Sequence, residues 1–373
     1  MQRLIPTITK KTYQSILKPV FFRIDPENVH IRTTVLGEWM GQQEILKKLI
    51  SSQFKIENPA LRQKLSGINF SSPIGLAAGF DYEARLTQIT PIIGFGFHSV
   101  GTITNSAFKG NPRPQLGRLP ESKSLMVNKG FRNLGAKETA EKLKKLNFEI
   151  PIGISIGRTN SAKLNQKQSI EDIIHAFNIF EKAQVKNSYY ELNISCPNLF
   201  GNVTFYTKNN LEDLLSEIDK LRLNKPVFIK MPISNSDREI QIMLDVIAKH
   251  SPKGVIFGNL QRDRSHPSLI KKEMEKFKVG NFSGKPTFER SNELISLAYR
   301  SYKERLLIIG CGGVFSAEDA YIKIKKGASL IQLITGMIFE GPQLIYEINS
   351  GLLEFLKKDG FSNISEAIGI ENY

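Results

Sequence analysis

Eight short apolar runs lie between residues 73 and 336, and most of them end in a small or polar residue. Several runs are continuously apolar rather than alternating, which is typical of parallel strands that are buried on both faces. The predicted strands are Ile74–Ala78, Phe95–Val100, Ile152–Ile156, Tyr189–Ile194, Val227–Met231, Gly254–Phe257, Leu306–Gly310 and Leu330–Thr335.

Helical patterns separate most of these strands, for example in Ile170–Lys186, Leu211–Leu221 and Arg238–His250. Eight strands that alternate with helices favour an α/β fold of the (β/α)8 barrel type over a doubly wound sheet. The segment Gly110–Arg118 is rich in Pro and Gly, so we expect it to be an irregular excursion over the top of the barrel.

The N-terminal segment differs in composition from the barrel that follows it. Residues 1–24 contain no Asp or Glu, and their basic residues are Arg3, Lys10, Lys11, Lys18 and Arg23. Apolar residues repeat there at helical spacing, which predicts a basic amphipathic helix, and a second helix is predicted after Pro26. We therefore divide the chain into N-terminal helices at 1–55 and a barrel at 56–373. Packing of both helices on the barrel, or a transit peptide, would explain the same pattern.

Charge and cysteine content limit the possible binding partners and the redox compartment of the protein. The formal net charge is +15, but the basic residues are scattered and no nucleic-acid recognition motif accompanies them. An anionic membrane surface is the better partner, and no apolar run reaches the roughly 18 residues that a spanning helix needs. Two cysteines provide no disulfide framework, which favours a reducing compartment. No metal site is predicted.

The end of the fourth predicted strand carries the clearest chemistry. In Asn193-Ile194-Ser195-Cys196-Pro197-Asn198, a thiol stands between two carboxamides, and Asn259 ends the sixth strand. Amides can hold a neutral planar ligand while a thiolate removes a proton, so Cys196 is a candidate catalytic base. The alternatives are a packed cysteine and asparagines that only cap turns.

Other strand ends predict an anion site and a flat ligand. Gly310–Gly313 follows the seventh strand and Thr335-Gly336 follows the eighth, which is the usual place for phosphate in a barrel of this kind. Ala77-Ala78-Gly79 closes the first strand with residues small enough for a ring to lie across them. Lys230 is a charge within an apolar strand, where it either meets an electron-rich ligand or extends to the rim.

Taken together, these residues resemble the dihydroorotate dehydrogenases, in particular the membrane-associated, quinone-linked class 2. The resemblance covers nearly the whole chain, from Phe22 to Gly369. Its motifs are Gly75–Asp81, Val100–Thr104, Asn193–Asn198, Ser283–Pro286, Ile309–Gly313 and Gly327–Leu330.

The resemblance implies FMN on the barrel top and a role for each matching residue. The implied cofactor contacts are Ala77, Ala78, Gly79, Thr102, Ser155, Asn193, Lys230, Gly258, Gly284, Gly312, Gly313, Ile334 and Thr335. The implied substrate contacts are Tyr82, Asn128, Lys129, Gly130, Phe131, Asn193, Asn198, Asn259 and Leu260. Cys196 matches the base that takes a proton from C5 of dihydroorotate. His30 and Arg118 match polar residues at the inner end of a quinone tunnel between the N-terminal helices.

Departures from the family pattern concentrate in the substrate pocket. Class 2 enzymes carry serine as the base, whereas cysteine is typical of class 1. Tyr82 stands where the family has a lysine that faces flavin and the substrate carboxylate, and Val127 replaces a substrate-binding asparagine. We expect Lys129 to replace the lost lysine, with Arg85 as the second candidate.

The sequence thus predicts an FMN-dependent enzyme that oxidises dihydroorotate to orotate in pyrimidine synthesis and passes electrons to quinone. It would be a peripheral protein on the cytoplasmic face of a bacterial inner membrane, or of the mitochondrial inner membrane. The alternatives are an FMN oxidoreductase with another substrate, such as a different cyclic amide, and a catalytically silent flavin-binding barrel.

Overall fold

A computed structural model describes residues 4–372, so Arg3 of the predicted basic segment lies outside the described residues. The strands are β1 (Gln63–Leu65), β2 (Ile68–Phe70), β3 (Ile74–Leu76), β4 (Phe97–Ile103), β5 (Leu116–Leu119), β6 (Ser124–Val127), β7 (Ile152–Ile156), β8 (Tyr189–Asn193), β9 (Val227–Met231), β10 (Gly254–Phe257), β11 (Asn281–Gly284), β12 (Leu307–Cys311) and β13 (Leu330–Leu333). Eight of them form a closed parallel barrel in the order β3, β4, β7, β8, β9, β10, β12, β13. The predicted (β/α)8 fold is confirmed.

Helices surround the barrel and precede it in the chain. They are α1 (Leu4–Thr12), α2 (Lys18–Arg23), α3 (Pro26–Gly41), α4 (Glu44–Phe54), α5 (Ala136–Leu143), α6 (Gln166–Lys182), α7 (Lys208–Lys220), α8 (Asp237–Ile247), α9 (Lys271–Met274), α10 (Phe288–Tyr302), α11 (Ala317–Lys325), α12 (Thr335–Glu340) and α13 (Leu344–Asp359). A π-helical turn, Tyr13–Leu17, joins α1 to α2. Helix starts follow local capping: in α8, Ser236 and Glu239 form a reciprocal capping box.

Aromatic side chains close the amino end of the barrel. Phe97 and Tyr189 are the first residues of β4 and β8, and their ring centroids lie 6.5 Å apart. Phe70 from the β1–β2 hairpin packs edge-on against Phe97 at 5.5 Å, and Phe228 packs against Tyr189 at 5.4 Å. Because this end is filled by large rings, a ligand has access only from the carboxyl end.

Two sequence predictions need correction at the carboxyl end. Within the predicted irregular segment Gly110–Arg118, residues from Leu116 onwards form β5, which joins β6 and β11 in an antiparallel sheet. Pro114 lies before the first paired residue, so its missing N–H removes no ladder hydrogen bond. Thr335 was predicted to end the last strand, but β13 ends at Leu333 and Thr335 begins α12.

The N-terminal helices dock on the carboxyl end beside α12. Tyr13 Oη donates a 2.5 Å hydrogen bond to the Ile338 carbonyl, and the ring of Phe22 packs edge-on against Phe339 at 5.4 Å. Asp25 caps α3, which begins at Pro26. The second predicted helix is interrupted between Gly41 and Glu44, so it forms α3 and α4.

Large apolar side chains of these helices remain exposed. Of the sixteen exposed large apolar side chains found in residues 4–372, twelve belong to the segment before residue 50. These twelve are Leu4, Ile5, Ile8, Ile16, Leu17, Val20, Ile24, Val35, Leu36, Trp39, Ile45 and Leu49. Such a concentration of exposed apolar side chains in one segment is typical of an interaction face. No helix in the described part of the chain is long and apolar enough to cross a membrane.

Candidate active site

The carboxyl ends of the barrel strands surround a deep cavity with about 1180 Å³ of space, its open mouth included. The sequence-predicted residues that line it are His30, Ala77, Ala78, Gly79, Tyr82, Thr102, Lys129, Gly130, Phe131, Asn193, Cys196, Asn198, Lys230, Gly258, Asn259, Leu260, Gly284, Gly312, Gly313, Ile334 and Thr335. The barrel topology therefore brings together residues that are up to 305 positions apart in the chain.

One side of the cavity is built from backbone that only glycine can form. Gly312 and Gly313 follow β12 with φ of +100° and +73°, and Gly284 ends β11 with φ of +82°. A Cβ atom on Gly312 would lie 2.4 Å from Thr287 Oγ1, so no larger residue fits without a shift. Thr335 Oγ1 lies 2.8 Å from Ser283 Oγ at the same edge. Bare N–H groups and hydroxyls in this arrangement suit a phosphate.

Lys230 projects from β9 into the cavity, and only 4% of the residue is exposed. Among residues 4–372, it has neither a carboxylate within ion-pair distance nor a hydrogen-bond acceptor. A buried ammonium without a partner is costly. The site therefore favours a ligand that offers lone pairs or negative charge at this position.

Hydroxyls and carboxamides form a chain across the β4, β7 and β8 strand ends. Asn193 Nδ2 donates to Thr102 Oγ1 at 2.8 Å, and Thr102 Oγ1 lies 3.0 Å from Ser155 Oγ. On the other side, Ser195 Oγ donates to Asn193 Oδ1 at 3.1 Å and accepts from Asn259 Nδ2 at 2.5 Å. Ser155 is fully buried behind Thr102 and does not line the cavity, so it orients Thr102 rather than facing a ligand.

Cys196 lies in the loop after β8, half-buried at the cavity wall. Burial raises the pKa of its thiol to about 11, although the Asn198 backbone N–H and the cations Arg158 and Lys230 act to lower it. The thiol is therefore protonated at neutral pH, and the fraction present as thiolate, which can act as a base, grows as the pH rises. Asn198 fixes the loop, because its Nδ2 donates to the Val127 carbonyl at 3.0 Å.

A stack of aromatic and cationic side chains forms the wall towards the N-terminal helices. The rings of His30 and Tyr82 stack at a centroid distance of 5.2 Å. Lys129 Nζ lies 4.5 Å from the centroid of the Tyr82 ring and donates to the Tyr82 hydroxyl at 3.2 Å. The guanidinium carbon of Arg132 lies 5.6 Å from the same ring centroid. This wall thus concentrates positive charge beside a neutral phenol.

Burial sets the protonation states of this wall. Burial and the nearby cations Lys129, Arg132 and Arg85 lower the pKa of His30 to about 3, so its imidazole is neutral at physiological pH. Burial raises the pKa of Tyr82 to about 12. Burial and the charge of Arg132 lower the pKa of Lys129 to about 8. Lys129 is consequently the group of this wall that changes charge just above neutral pH.

Two further sequence-predicted residues lie away from the cavity. Asn128 Oδ1 accepts from Asn111 Nδ2 at 3.1 Å, within the loop structure behind the wall. Arg118 lies over the ring of Phe22 at 4.9 Å and donates to the Ile24 carbonyl at 2.8 Å, so it ties the N-terminal helices to β5. Conversely, Arg132 also lines the cavity but was not predicted from the sequence. Its position three residues after Lys129 could have identified it as a second cation of the site.

The closed eight-stranded parallel barrel, with its cavity at the carboxyl ends of the strands, defines a (β/α)8-barrel enzyme. The dihydroorotate dehydrogenase family model matches residues 60–356. The chain belongs to the dihydroorotate dehydrogenase family.

Sequence relatives and solved structures agree with this assignment. The chain is similar to dihydroorotate dehydrogenase (quinone) of Acaryochloris marina, with 33% identity over 96% of this chain and 99% of the relative. The protein of the same name from Crocosphaera subtropica is 35% identical over 97% of this chain and 94% of the relative. Ligand-free DHODH from Eimeria tenella superimposes with a TM-score of 0.79 and 25% identity over 91% of this chain and 99% of that chain.

Proposed function

We propose that the protein oxidises (S)-dihydroorotate to orotate in de novo pyrimidine biosynthesis, with FMN as cofactor and a quinone as electron acceptor. The observation that carries this proposal is the convergence of Cys196, three carboxamides and the buried Lys230 on one cavity in a member of this family. The quinone part rests on the names of the relatives and on the helices that cover the cavity mouth.

The residues of the cavity fit FMN. The glycines at 284, 312 and 313 leave backbone open to a phosphate, together with Thr335. On the opposite side, Gly79 adopts φ of +115°, and a Cβ there would have only Ile334 Cδ1 within 4 Å, at 3.6 Å. With Ala77 and Ala78 it forms a low floor for a flat ring. When bound, FMN supplies the hydride acceptor for C6 of dihydroorotate and passes both electrons to the quinone.

Lys230, Thr102 and Asn193 would hold the polar edge of the isoalloxazine ring, since all three line the cavity. Lys230 is unpaired among the described residues, so it can donate to a ring nitrogen or oxygen and stabilise negative charge there. Gly258 and Ile334 complete the cofactor side of the cavity. Ser155 would act indirectly, through its contact with Thr102.

On the substrate side, the thiolate of Cys196 takes the proton from C5 while C6 gives up its hydride. Asn193, Asn198 and Asn259 surround this position and can orient the amide groups of the substrate. Gly130, Phe131 and Leu260 would shape the remaining wall and exclude water. Asn128 supports the loop from behind.

The N-terminal helices would join the enzyme to an anionic membrane surface, on the cytoplasmic face of a bacterial inner membrane. Their twelve exposed apolar side chains provide the inserting face, and the exposed Lys11, Arg23 and Arg32 lie on the same helices. Quinone would enter between these helices and reach His30, which lines the cavity, while Arg118 holds the helices in place.

The proposal is tested by colour and by anaerobic mixing. Purified protein is expected to absorb near about 450 nm with about one flavin per chain, and dihydroorotate is expected to bleach it without oxygen. Protein that is colourless and cannot be reconstituted with FMN would overturn the cofactor assignment.

A second candidate function is an FMN oxidoreductase that acts on a different cyclic amide. It is favoured by Tyr82 and Val127, which line the cavity where the family resemblance implies polar substrate contacts. Yellow protein that is bleached by another cyclic amide but not by dihydroorotate would decide for this candidate.

A further inference from the structure

The wall beside Tyr82 carries two cations that face the cavity. Lys129 is 9% exposed, and in residues 4–372 its ammonium group makes one hydrogen bond, to the neutral Tyr82 hydroxyl at 3.2 Å. Arg132 lines the same cavity, and its guanidinium carbon lies 5.6 Å from the centroid of the Tyr82 ring. Both charges therefore approach one small region of the cavity.

Neutralisation of these charges by the protein is incomplete. Within the described chain, no carboxylate lies within ion-pair distance of Lys129, and the nearest to Arg132 is Glu27, at the 4.0 Å limit. Glu27 is shared, since its Oε1 accepts from the Gln115 backbone N–H at 3.0 Å and its Oε2 lies 3.7 Å from Arg113. Two neighbouring cations at a partly dry site favour an anion between them.

The alternative cation suggested by the sequence is already paired. Arg85 Nη2 lies 2.7 Å from Glu83 Oε2, and its Nη1 lies 3.4 Å from Glu38 Oε2. These ion pairs direct its guanidinium towards α3 rather than into the main cavity. Arg85 is thus not available to a substrate.

We propose that Lys129 and Arg132 together form the site for the substrate's carboxylate. The pair takes the place of the lysine that the family resemblance implies at position 82. Lys129 supplies a point charge, and the fork of Arg132 can donate two parallel hydrogen bonds. This inference rests on the proposed function, because it assumes a carboxylate substrate in the same cavity.

Tyr82 has a positioning role in this arrangement. Its hydroxyl accepts from Lys129, and its ring packs on His30 with its centroid 4.5 Å from Lys129 Nζ and 5.6 Å from the Arg132 guanidinium carbon. A lysine at position 82 would add a third cation to this site, where Glu27, the ion-pair partner of Arg132 among residues 4–372, is already shared. Tyr82 and the two cations therefore act together to bind the anion in place of the family's lysine.

The test measures binding of orotate and of uracil, which lacks the carboxylate, to the yellow holoprotein by calorimetry. Lys129→Gln and Arg132→Gln are each expected to weaken orotate at least about tenfold, equivalent to about 1.4 kcal/mol, and to leave uracil unchanged. Lys109→Gln is the matched control, since Lys109 is an exposed cation that does not line the cavity. Arg132→Lys is expected to recover part of the loss.

The outcomes separate the inference from the proposed function. Orotate binding that is tight in the parent and unchanged in both glutamine variants would overturn the carboxylate site alone. Equal losses for orotate and uracil would overturn it as well, because they would indicate a structural role. A yellow parent that binds no orotate would overturn both the substrate assignment and the carboxylate site.

Discussion

Two ionisable groups of the site predict a distinctive pH profile, because a rise in pH activates Cys196 as a base but removes the positive charge of Lys129. Burial raises the pKa of the Cys196 thiol to about 11 and lowers the pKa of the Lys129 ammonium to about 8. At about pH 8, roughly one thiol in a thousand is ionised, and each further pH unit multiplies that fraction about tenfold. Over the same range Lys129 loses its charge.

Titration of the thiol changes kcat, whereas titration of Lys129 changes KM. Because the thiolate is the base, kcat for flavin reduction should rise about tenfold per pH unit between about pH 6 and 10. Above about pH 8, neutral Lys129 binds the carboxylate less well, so KM rises in parallel and kcat/KM becomes flat. His30, with a pKa of about 3, and Tyr82, with a pKa of about 12, keep their charge states across this range. Arg132, Glu27 and Glu83 are the other charged groups that act on Lys129.

The assay is anaerobic stopped-flow bleaching of the flavin by dihydroorotate at each pH, for the parent and for Lys129→Gln. The variant should have a lower kcat/KM that continues to rise above about pH 8, since the group responsible for the plateau is gone. A pH-independent kcat in the parent would refute the assignment of the thiolate as base. A plateau that persists unchanged in Lys129→Gln would refute the role of Lys129.

Three further predictions concern the base, the glycine-rich phosphate site and the N-terminal helices. Cys196→Ala should keep FMN but reduce it at least about a hundredfold more slowly, because general base catalysis is lost; flavin absorbance with slow bleaching is the readout, and normal bleaching would contradict it. Gly312→Val should yield colourless protein, since its Cβ would lie 2.4 Å from Thr287 Oγ1 at φ of +100°. The control Gly67→Ala should stay yellow, because Gly67 is exposed and its Cβ would have no atom of the described residues within 4 Å. FMN retained in Gly312→Val would contradict the glycine-rich phosphate site. The double variant Trp39→Glu, Ile45→Glu should bind anionic vesicles several-fold less tightly in cosedimentation, whereas Ile242→Glu, an exposed apolar residue of the barrel, should not; equal binding by all three proteins would contradict the membrane face.

The barrel could be predicted from the sequence because its strands are buried on both faces. Such strands are continuously apolar, as in Val227–Met231, and the carboxyl ends of parallel strands meet at one rim. The positions of Asn193, Lys230 and Gly312 followed from that rule, although they come from three different strand ends. The topology, rather than proximity in sequence, assembled the cavity.

The loop side chains could not be predicted in the same way, since no periodicity fixes their direction. Asn128 and Lys129 are neighbours, yet Asn128 bonds to Asn111 behind the wall while Lys129 faces the cavity. Arg118 lies on β5, whose antiparallel pairing was concealed by the Pro- and Gly-rich residues before it. The family resemblance matches Arg118 to a quinone contact, and this match does not indicate that Arg118 donates a hydrogen bond to the Ile24 carbonyl.

A single turnover without oxygen is the strongest test that the protein oxidises dihydroorotate through Cys196, with tyrosine at position 82 in place of the family's lysine. The yellow protein, mixed with excess dihydroorotate and no quinone, should form about one orotate per flavin, and Cys196→Ala with the same flavin content should form almost none in that time. Formation of no orotate by the fully yellow parent, or of a full equivalent at the parental rate by Cys196→Ala, would contradict the account.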